Sequence, residues 1–353
     1  MIFLFFSSSM KQIIIFLILA ISVTASAHHS RSDFDERGEI TELSGEVVSV
    51  RWRNPHIAIR LRTVGEDGNE EVWNIEAGNA TAAGRMGLKK DTVRPGFKIK
   101  VAGVTSLSGR KEMVAGQYLL PNGLEVLIDP QLTPNPRWSP GNYIDRRQST
   151  YKPSGSLPDD NGIFRVWVRE RTQEFWMLQP GDYYPLTESA KTAVASWNSE
   201  DPADNQILQC IAPGMPAILG DPHPIEFVQM DGKIELRMQA FDTVRTIHLD
   251  PVEDVASIDP SSLGYSVGRF EGENTLMVTT TRVNAPFLNR RGVPLSNSVV
   301  IEERFTVDKA KGHLNYMMKV TDPVNLLEPL VEEWRWFWSE DAFIQSFNCA
   351  IYE

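Results

Sequence analysis

The 353-residue chain contains only two cysteines and six histidines, and it has no run of basic residues. Two cysteines exclude a disulfide-rich miniprotein and a four-cysteine zinc site. The formal net charge of -11 argues against nucleic acid and anionic membranes as partners. The sequence also lacks a phosphate loop, a dinucleotide fingerprint and a His-Glu-x-x-His helix. Nucleotide-dependent enzymes and metalloproteases of that type are therefore not indicated.

One apolar run is present, at residues 13–21, and it is too short to cross a membrane as a helix, which takes about 20 apolar residues. Lys11 precedes the run, and small residues up to Ala27 follow it. This order is typical of a secretory signal peptide that is cleaved after Ala27. Translation starts at either Met1 or Met10. We therefore predict a signal peptide at 1–27, export to the periplasm and no membrane span.

The rest of the chain alternates apolar and polar residues with the period of β-strands, so the predicted fold class is mostly β. Residues 28–128 contain five or so strands and a short helix, which predicts a small OB-like barrel. Residues 129–205 form a proline-rich linker with one strand and a short helix. About nine strands in residues 206–353, the last at Phe343 to Phe347, predict a larger antiparallel domain. That domain is a lipocalin-like barrel or a sandwich.

Short motifs in both halves carry a resemblance. They are His28-His29-Ser30, Trp52, Asn54-Pro55-His56, Cys210-Ile211-Ala212-Pro213-Gly214-Met215-Pro216 and Gly268-Arg269-Phe270-Glu271-Gly272. With them the chain resembles an uncharacterised family of secreted bacterial domains of unknown function, fused to a β-rich partner region. The resemblance implies an exported protein and a fold, and it implies no activity.

Two positions depart from the pattern of that family. Relatives tend to carry a histidine and an acid near 295–297, where this chain has Leu295-Ser296-Asn297, and an aspartate where it has Thr279 or Thr280. The resemblance therefore implies that a shared His/Asp catalytic site would be broken in this protein.

Trp334, Trp336 and Trp338 share one face of a predicted strand. Such a stripe lines a ligand pocket or fills a barrel core, because aromatic side chains dominate both. The leading functional hypothesis is a non-enzymatic periplasmic binding protein for a small apolar or aromatic ligand. The oligomeric state is not indicated by the sequence.

A second hypothesis is a periplasmic enzyme, of the hydrolase or isomerase type, with its site in the second β domain. Its candidate catalytic residues are Arg269, Glu271, Glu303 and Arg304, because carboxylates beside arginines can perform acid–base chemistry. The alternative is that these charges lie on solvated strand faces, where charged residues usually occur.

A third hypothesis is a copper-binding protein. Cleavage after Ala27 gives His28 a free amine, and His29 and His56 add two imidazoles. Nitrogen ligands without thiolate favour Cu(II), which makes copper the candidate cofactor. A flexible tail that carries histidines without a defined site remains the alternative.

The two cysteines are predicted to form a disulfide between Cys210 and Cys349. Export would place the chain in an oxidising compartment, where paired cysteines form disulfides. This bond would tie the C-terminal segment to the loop that precedes the strands of the second domain.

Overall fold

The computed structural model describes residues 34, 38–54, 56–65, 67–148, 151–170, 184–198, 201–252 and 254–349. The predicted signal peptide and its cleavage site lie outside these residues, as do the candidate ligands His28 and His29. Within the described part of the chain, we find no helix with the length and apolar character of a membrane span.

The first domain is a five-stranded barrel with one short helix, α1 (Ala80–Arg85). Its strands are β1 (Thr41–Arg51), β2 (Ala58–Val64), β3 (Glu70–Glu76), β4 (Lys98–Thr105) and β5 (Glu112–Leu119). β1 pairs antiparallel with both β2 and β4, and a parallel pairing of β3 with β5 closes the barrel. Two short strands, β6 (Glu125–Leu127) and β7 (Tyr143–Asp145), extend the sheet beyond β5. The predicted OB-like barrel is confirmed.

Alternation along the strands explains the core of this barrel. In β2, Ile59 and Leu61 are buried, whereas Arg60 and Arg62 between and after them are exposed. Such a period of two places one face of a strand in the core and the other in solvent. Helix α1 begins where the side chain of Asn79 accepts the backbone N–H of Ala82, as an N-cap residue does.

The second domain is a closed barrel of nine strands in which the chain order is also the spatial order. Its strands are β8 (Val166–Arg169), β9 (Ile225–Met230), β10 (Lys233–Met238), β11 (Thr243–His248), β12 (Tyr265–Glu271), β13 (Thr275–Thr281), β14 (Val300–Asp308), β15 (His313–Thr321) and β16 (Leu330–Phe337). Neighbours pair antiparallel except β11 and β12, which are parallel. The predicted larger β domain is thus a barrel and not a sandwich.

One strand of this barrel differs from the prediction. The ninth strand is β8, which the sequence places in the linker, and it closes the barrel by pairing with both β9 and β16. The predicted strand at Phe343 to Phe347 is absent, because backbone N–H groups there bond to side chains. Gln345 donates to Gln239 Oε1 at 3.1 Å and Phe347 donates to Asp242 Oδ1 at 2.9 Å.

The linker region also supplies helix α2 (Glu188–Ser196), which packs Ala190 against the core of the second barrel. Thr187 caps this helix by accepting the backbone N–H of Ala190. Leu186, directly before the cap, is buried in the same core and forms a bridge with Leu326. The linker region is therefore part of the packing of the second domain.

The C-terminal segment joins the two barrels. Asn54 is buried, and its side-chain amide donates to Thr81 Oγ1 at 2.9 Å and to the backbone carbonyl of Phe347. A further residue of the segment, Cys349, forms the predicted disulfide with Cys210, with 5.7 Å between their Cα atoms. The disulfide prediction is confirmed, and the Asn-Pro-His motif gains a structural explanation at its first residue.

Candidate functional site

The inner face of β16 carries two of the three predicted ligand-binding tryptophans. Trp336 is fully buried in the barrel core, and Trp334 is half-buried beside it with 6.3 Å between ring centroids. Trp338 lies beyond the end of the strand, where the guanidinium of Arg165 is 5.9 Å from its ring. The predicted stripe is therefore divided between a core residue, a half-exposed inner residue and a residue at the barrel rim.

Arg169 stacks on these rings from the neighbouring strand β8. Its guanidinium carbon lies 4.1 Å from the ring centroid of Trp334 and 4.9 Å from that of Trp336. This arrangement is a cation–π contact, which strengthens when the cation is removed from water. Burial lowers the pKa of Arg169 to about 10. The side chain therefore remains a cation at neutral pH inside the barrel.

A carboxyl group, Glu332, shares the inner face of β16 with Trp334. The hydroxyl of Tyr184 donates to Glu332 Oε1 at 2.6 Å. Burial raises the pKa of Glu332, although the Tyr184 bond and the charge of Arg169 act in the opposite direction. Burial and the neighbouring Glu332 also raise the pKa of Tyr184. A carboxyl in this environment retains its proton to higher pH than in water.

An ion pair between Asp221 and Arg290 acts on this group. Asp221 Oδ2 lies 2.7 Å from Arg290 Nη2, and Asp221 Oδ1 lies 3.5 Å from His223 Nε2. The charge of Asp221 also acts on Arg169. The charge of Arg291 acts on Tyr184. Contacts or electrostatic influence link seven of these side chains, which we call the Arg169 cluster: Arg169, Tyr184, Asp221, Arg290, Arg291, Glu332 and Trp334.

Deeper in the barrel, Arg245 and Glu303 form a buried ion pair. Arg245 Nη1 donates to Glu303 Oε1 at 3.0 Å, and Nη2 donates to Oε2. Arg245 Nη2 also donates to Thr280 Oγ1 at 2.7 Å, and Nε donates to Ser266 Oγ at 3.0 Å. Such a network satisfies the polar atoms of both charged groups, which is the condition for burying them.

Tyr316 connects this ion pair to the Arg169 cluster. Its hydroxyl donates to Glu303 Oε1 at 2.9 Å, and its ring centroid lies 5.3 Å from that of Trp334. Burial raises the pKa of Tyr316, so the hydroxyl stays protonated and can donate. Tyr316 is thereby held by a hydrogen bond at its hydroxyl and by the contact of its ring with Trp334.

The segment Gly264-Tyr265-Ser266-Val267-Gly268 matches the Gly-x-Ser-x-Gly pattern of serine hydrolases. In those enzymes the serine occupies a sharp strand-to-helix turn that exposes its hydroxyl. Here Ser266 lies within β12, is buried, and its Oγ bonds to Arg245 and lies 2.9 Å from Thr280 Oγ1. The match is therefore not a nucleophile elbow.

Three of the four predicted catalytic residues lie together on the outer wall of the barrel, and the fourth, Glu303, lies inside it. Arg269 and Glu271 form an exposed ion pair on the outer wall of the barrel, at 2.7 Å, and Arg304 lies 3.9 Å from Glu271. Glu303 points into the barrel, because adjacent residues of a strand face opposite sides. The exposed Arg269–Glu271 pair agrees with the alternative that these charges lie on a solvated strand face. Glu303 instead belongs to the buried network around Arg245.

Of the three predicted copper ligands, His56 is the one that lies among the described residues. His56 Nδ1 lies 2.9 Å from Glu76 Oε1. Across the residues described above, no three or more His, Cys, Asp or Glu side chains are grouped to hold a metal ion. Because His28 and His29 fall outside those residues, the copper hypothesis stays a prediction.

The positions that depart from the family pattern lie in two separate networks. Thr280 accepts a hydrogen bond from Arg245 and donates one to Glu303. Ser296 donates through its hydroxyl to Asp322 Oδ1 at 2.6 Å, next to Asn325. In this chain both positions therefore carry structural hydrogen bonds.

A groove of about 640 Å³ crosses the surface of the first barrel. It is lined by Ser44, Gly45, Glu46, Arg62, Thr63, Val64, Glu70, Lys98, Ile99, Lys100, Leu119, Leu120, Pro121 and Gly123. No aromatic side chain is among them, and Arg62 lies 4.0 Å from Glu46 and 3.8 Å from Glu70. The groove thus lacks the aromatic face and buried cation that the Arg169 cluster combines.

Sequence reasoning missed Arg169, Tyr184, Arg245 and Glu332. The sequence does contain a signal for Glu332. It is spaced by two residues from Trp334 and by four from Trp336, so a charged residue shares the face of the strand that carries the tryptophans. Arg169 likewise follows Trp167 at a spacing of two. No comparable signal marks Tyr184.

Residues 17–115 of the chain match the model of DUF6152, a family of unknown function. This range includes strands β1 to β4 and the first residues of β5. No curated protein and no solved structure matches the chain.

Proposed function

We propose that the protein is exported to the periplasm and binds a small ligand there, without catalysing a reaction on it. The ligand has an apolar or aromatic body. The binding site is the Arg169 cluster at the inner face of the second barrel, with Trp334 as its aromatic surface.

The observation that carries the proposal is the half-buried state of Trp334. Its neighbour Trp336 is completely enclosed, whereas Trp334 is only partly buried although it lies on the inner face of a barrel. Partly exposed aromatic rings with a few placed polar groups are typical of small-molecule sites. Arg169 on the ring and Glu332 two residues away provide such groups.

Two further observations support export. The apolar run before Ala27 has the order of a signal peptide. The Cys210–Cys349 disulfide suits an oxidising compartment, in which such bonds persist.

The test is a fluorescence titration of the purified mature protein with N-phenyl-1-naphthylamine, a neutral aromatic probe that brightens in apolar surroundings. We expect saturable binding, weakened at least about tenfold by Trp334→Leu, because burial of one aromatic side chain contributes about 1.5–3 kcal/mol. The matched control is Trp138→Leu, because Trp138 is also half-buried but lies beyond β6. This variant should keep the wild-type affinity.

Saturable binding that Trp334→Leu leaves unchanged would contradict the proposed site. Absence of saturable binding to the wild type would contradict the proposed function. Trp334→Phe keeps a ring at this position and is expected to retain most of the affinity, which separates loss of the aromatic surface from loss of folding.

A further inference from the structure

We propose that the first barrel carries an anion site, in which Arg85 and the hydroxyl of Tyr151 bind an oxyanion, the phosphate or carboxylate group of a small solute. The site lies between the end of α1 and the segment that follows β7. It is separate from the Arg169 cluster, so this inference does not rest on the proposed function.

The burial of the Arg85 guanidinium follows from its position in α1. Thr81, one turn earlier in this helix, is buried against the barrel. Residues four apart lie on the same face of a helix, so Arg85 shares the face that packs on the protein. Its Nη1 is completely enclosed and has no hydrogen-bond partner among the described residues.

Arg85 also lacks an acidic partner in the part of the chain that the structure describes. Burial lowers the pKa of Arg85, and the positive charge of Arg146 lowers it further, whereas Tyr151 acts in the opposite direction. The acid next to Arg146 in the sequence, Asp145, accepts hydrogen bonds from Arg147 instead. The charge of Arg85 is therefore not neutralised by a carboxylate from these residues.

Other enclosed arginines of this chain show what Arg85 lacks. Arg245 is paired with Glu303 inside the second barrel. Arg165, whose side chain is 9% exposed, lies 2.5 Å from Asp159. A buried charge is costly when it is isolated and tolerated when an opposite charge and hydrogen bonds accompany it. An anion bound at Arg85 would supply the missing negative charge.

Tyr151 provides a second donor without an acceptor. The guanidinium carbon of Arg85 lies 5.4 Å from the ring centroid of Tyr151. The hydroxyl of Tyr151 is enclosed, and it too has no hydrogen-bond partner within the described ranges. Buried polar groups of native proteins are almost always hydrogen-bonded. Two neighbouring side chains with enclosed, unused donors therefore indicate that an acceptor belongs between them.

The chemistry of these donors specifies the class of ligand. A guanidinium presents its N–H groups in a planar fork that matches two oxygens of a phosphate or a carboxylate. A phenol hydroxyl can donate to an oxygen of the same group. Arg85 and Tyr151 are both partly exposed as residues, so the site lies near the surface, where a small ion can enter. The small number of donors fits a single oxyanionic group.

The test follows the backbone amide NMR signals of the purified mature protein during titration with sodium phosphate and, separately, with sodium acetate, at constant pH and ionic strength. We expect saturable shifts in α1 with at least one of the two anions. Arg85→Gln should weaken this binding at least about tenfold, because hydrogen bonds to charged groups are strong. Tyr151→Phe keeps the ring, loses the hydroxyl and should weaken binding about threefold.

The matched control is Arg94→Gln. Arg94 also lies over an aromatic ring, at 4.7 Å from the centroid of Phe97, but it is exposed. This variant should keep the wild-type affinity. Without phosphate or acetate, Arg85→Gln should not lower the free energy of unfolding, because it removes a buried charge that has no partner. This measurement separates loss of the site from loss of folding.

The stronger of the two anions identifies which oxyanionic group the site takes, and either result supports the inference. Absence of saturable shifts in α1 with both anions would overturn it. Equal affinities of Arg85→Gln and Arg94→Gln would also overturn it, since the anion would then bind elsewhere. Unfolding of Arg85→Gln would contradict it as well, because the guanidinium would then have a structural partner within the chain.

Discussion

Arg245 and Glu303 form a bidentate ion pair that the second barrel encloses on all sides. The pair joins β11 to β14 across two intervening strands, whose Ser266 and Thr280 supply further hydrogen bonds. Because every partner is itself buried, removing one charge leaves the other without solvent to compensate it.

Glu303→Gln should therefore lower the free energy of unfolding by about 3–5 kcal/mol, as expected when one partner of a buried pair is removed. The measurement is urea denaturation at neutral pH. Glu271→Gln breaks the exposed pair with Arg269 and should change the free energy of unfolding by less than about 1 kcal/mol. Similar effects of the two substitutions would show that the interior pair is not structurally important.

The pKa of Glu332 predicts a pH-dependent effect of Glu332→Gln. Because burial raises the folded-state pKa, the wild type loses stability as the pH rises above the unfolded-state pKa, and the loss is complete above the folded-state pKa. Glutamine has no proton to lose and can still accept from Tyr184. We expect the stability of the variant relative to the wild type to increase between pH 4 and neutral pH.

Denaturation at several pH values measures this difference. Glu333→Gln is the control, because Glu333 is exposed on the outer face of the same strand, and its relative stability should change less with pH. A constant difference between Glu332→Gln and wild type across the range would contradict the assignment.

Removal of the disulfide by the double change Cys210→Ser and Cys349→Ser should lower the free energy of unfolding by roughly 4–5 kcal/mol. This figure is the chain-entropy estimate for a loop of 139 residues. Thermal unfolding of the variant and the unreduced wild type provides the measurement. Alkylation of the unreduced, denatured wild type should modify no cysteine, and detection of two free thiols would contradict the bond.

Asn54→Ala should release the C-terminal segment from the first barrel. It removes the bonds from Asn54 to Phe347 and Thr81, and the buried groups left behind cost about 1–3 kcal/mol. Hydrogen exchange should accelerate at 345–349, with little change in the strands of the second barrel. Asn315→Ala, at an exposed position of β15, is the control. Unchanged exchange at the segment would show that Asn54 does not hold it.

Much of the fold is predictable because it depends on local alternation. The buried Ile59 and Leu61 of β2 and the caps at Asn79 and Thr187 are visible in the sequence, and the structure has them. The strand β8 is harder to place, because four residues in a proline-rich stretch carry no long pattern. Phe343 to Phe347 has the composition of a strand, but the side chains of Gln239 and Asp242 take its backbone N–H groups.

The candidate site depends on closure of the barrel and is therefore not predictable locally. Arg169 and Trp336 are paired in register only because β8 lies beside β16, which is more than 160 residues later in the chain. Alternation shows that Glu332 faces inward with Trp334, but it does not show which side chains come from the opposite strands. Tyr184 enters from a segment outside the barrel strands.

Hydrogen exchange with and without N-phenyl-1-naphthylamine tests most directly whether a small ligand binds at the Arg169 cluster. We expect the probe to slow exchange in β8 and β16, and to leave the groove strands β1, β2 and β4 of the first barrel unchanged. The Trp334→Leu variant should lose this protection at the same probe concentration. Protection confined to the groove of the first barrel, or the same protection in Trp334→Leu, would contradict the proposed site.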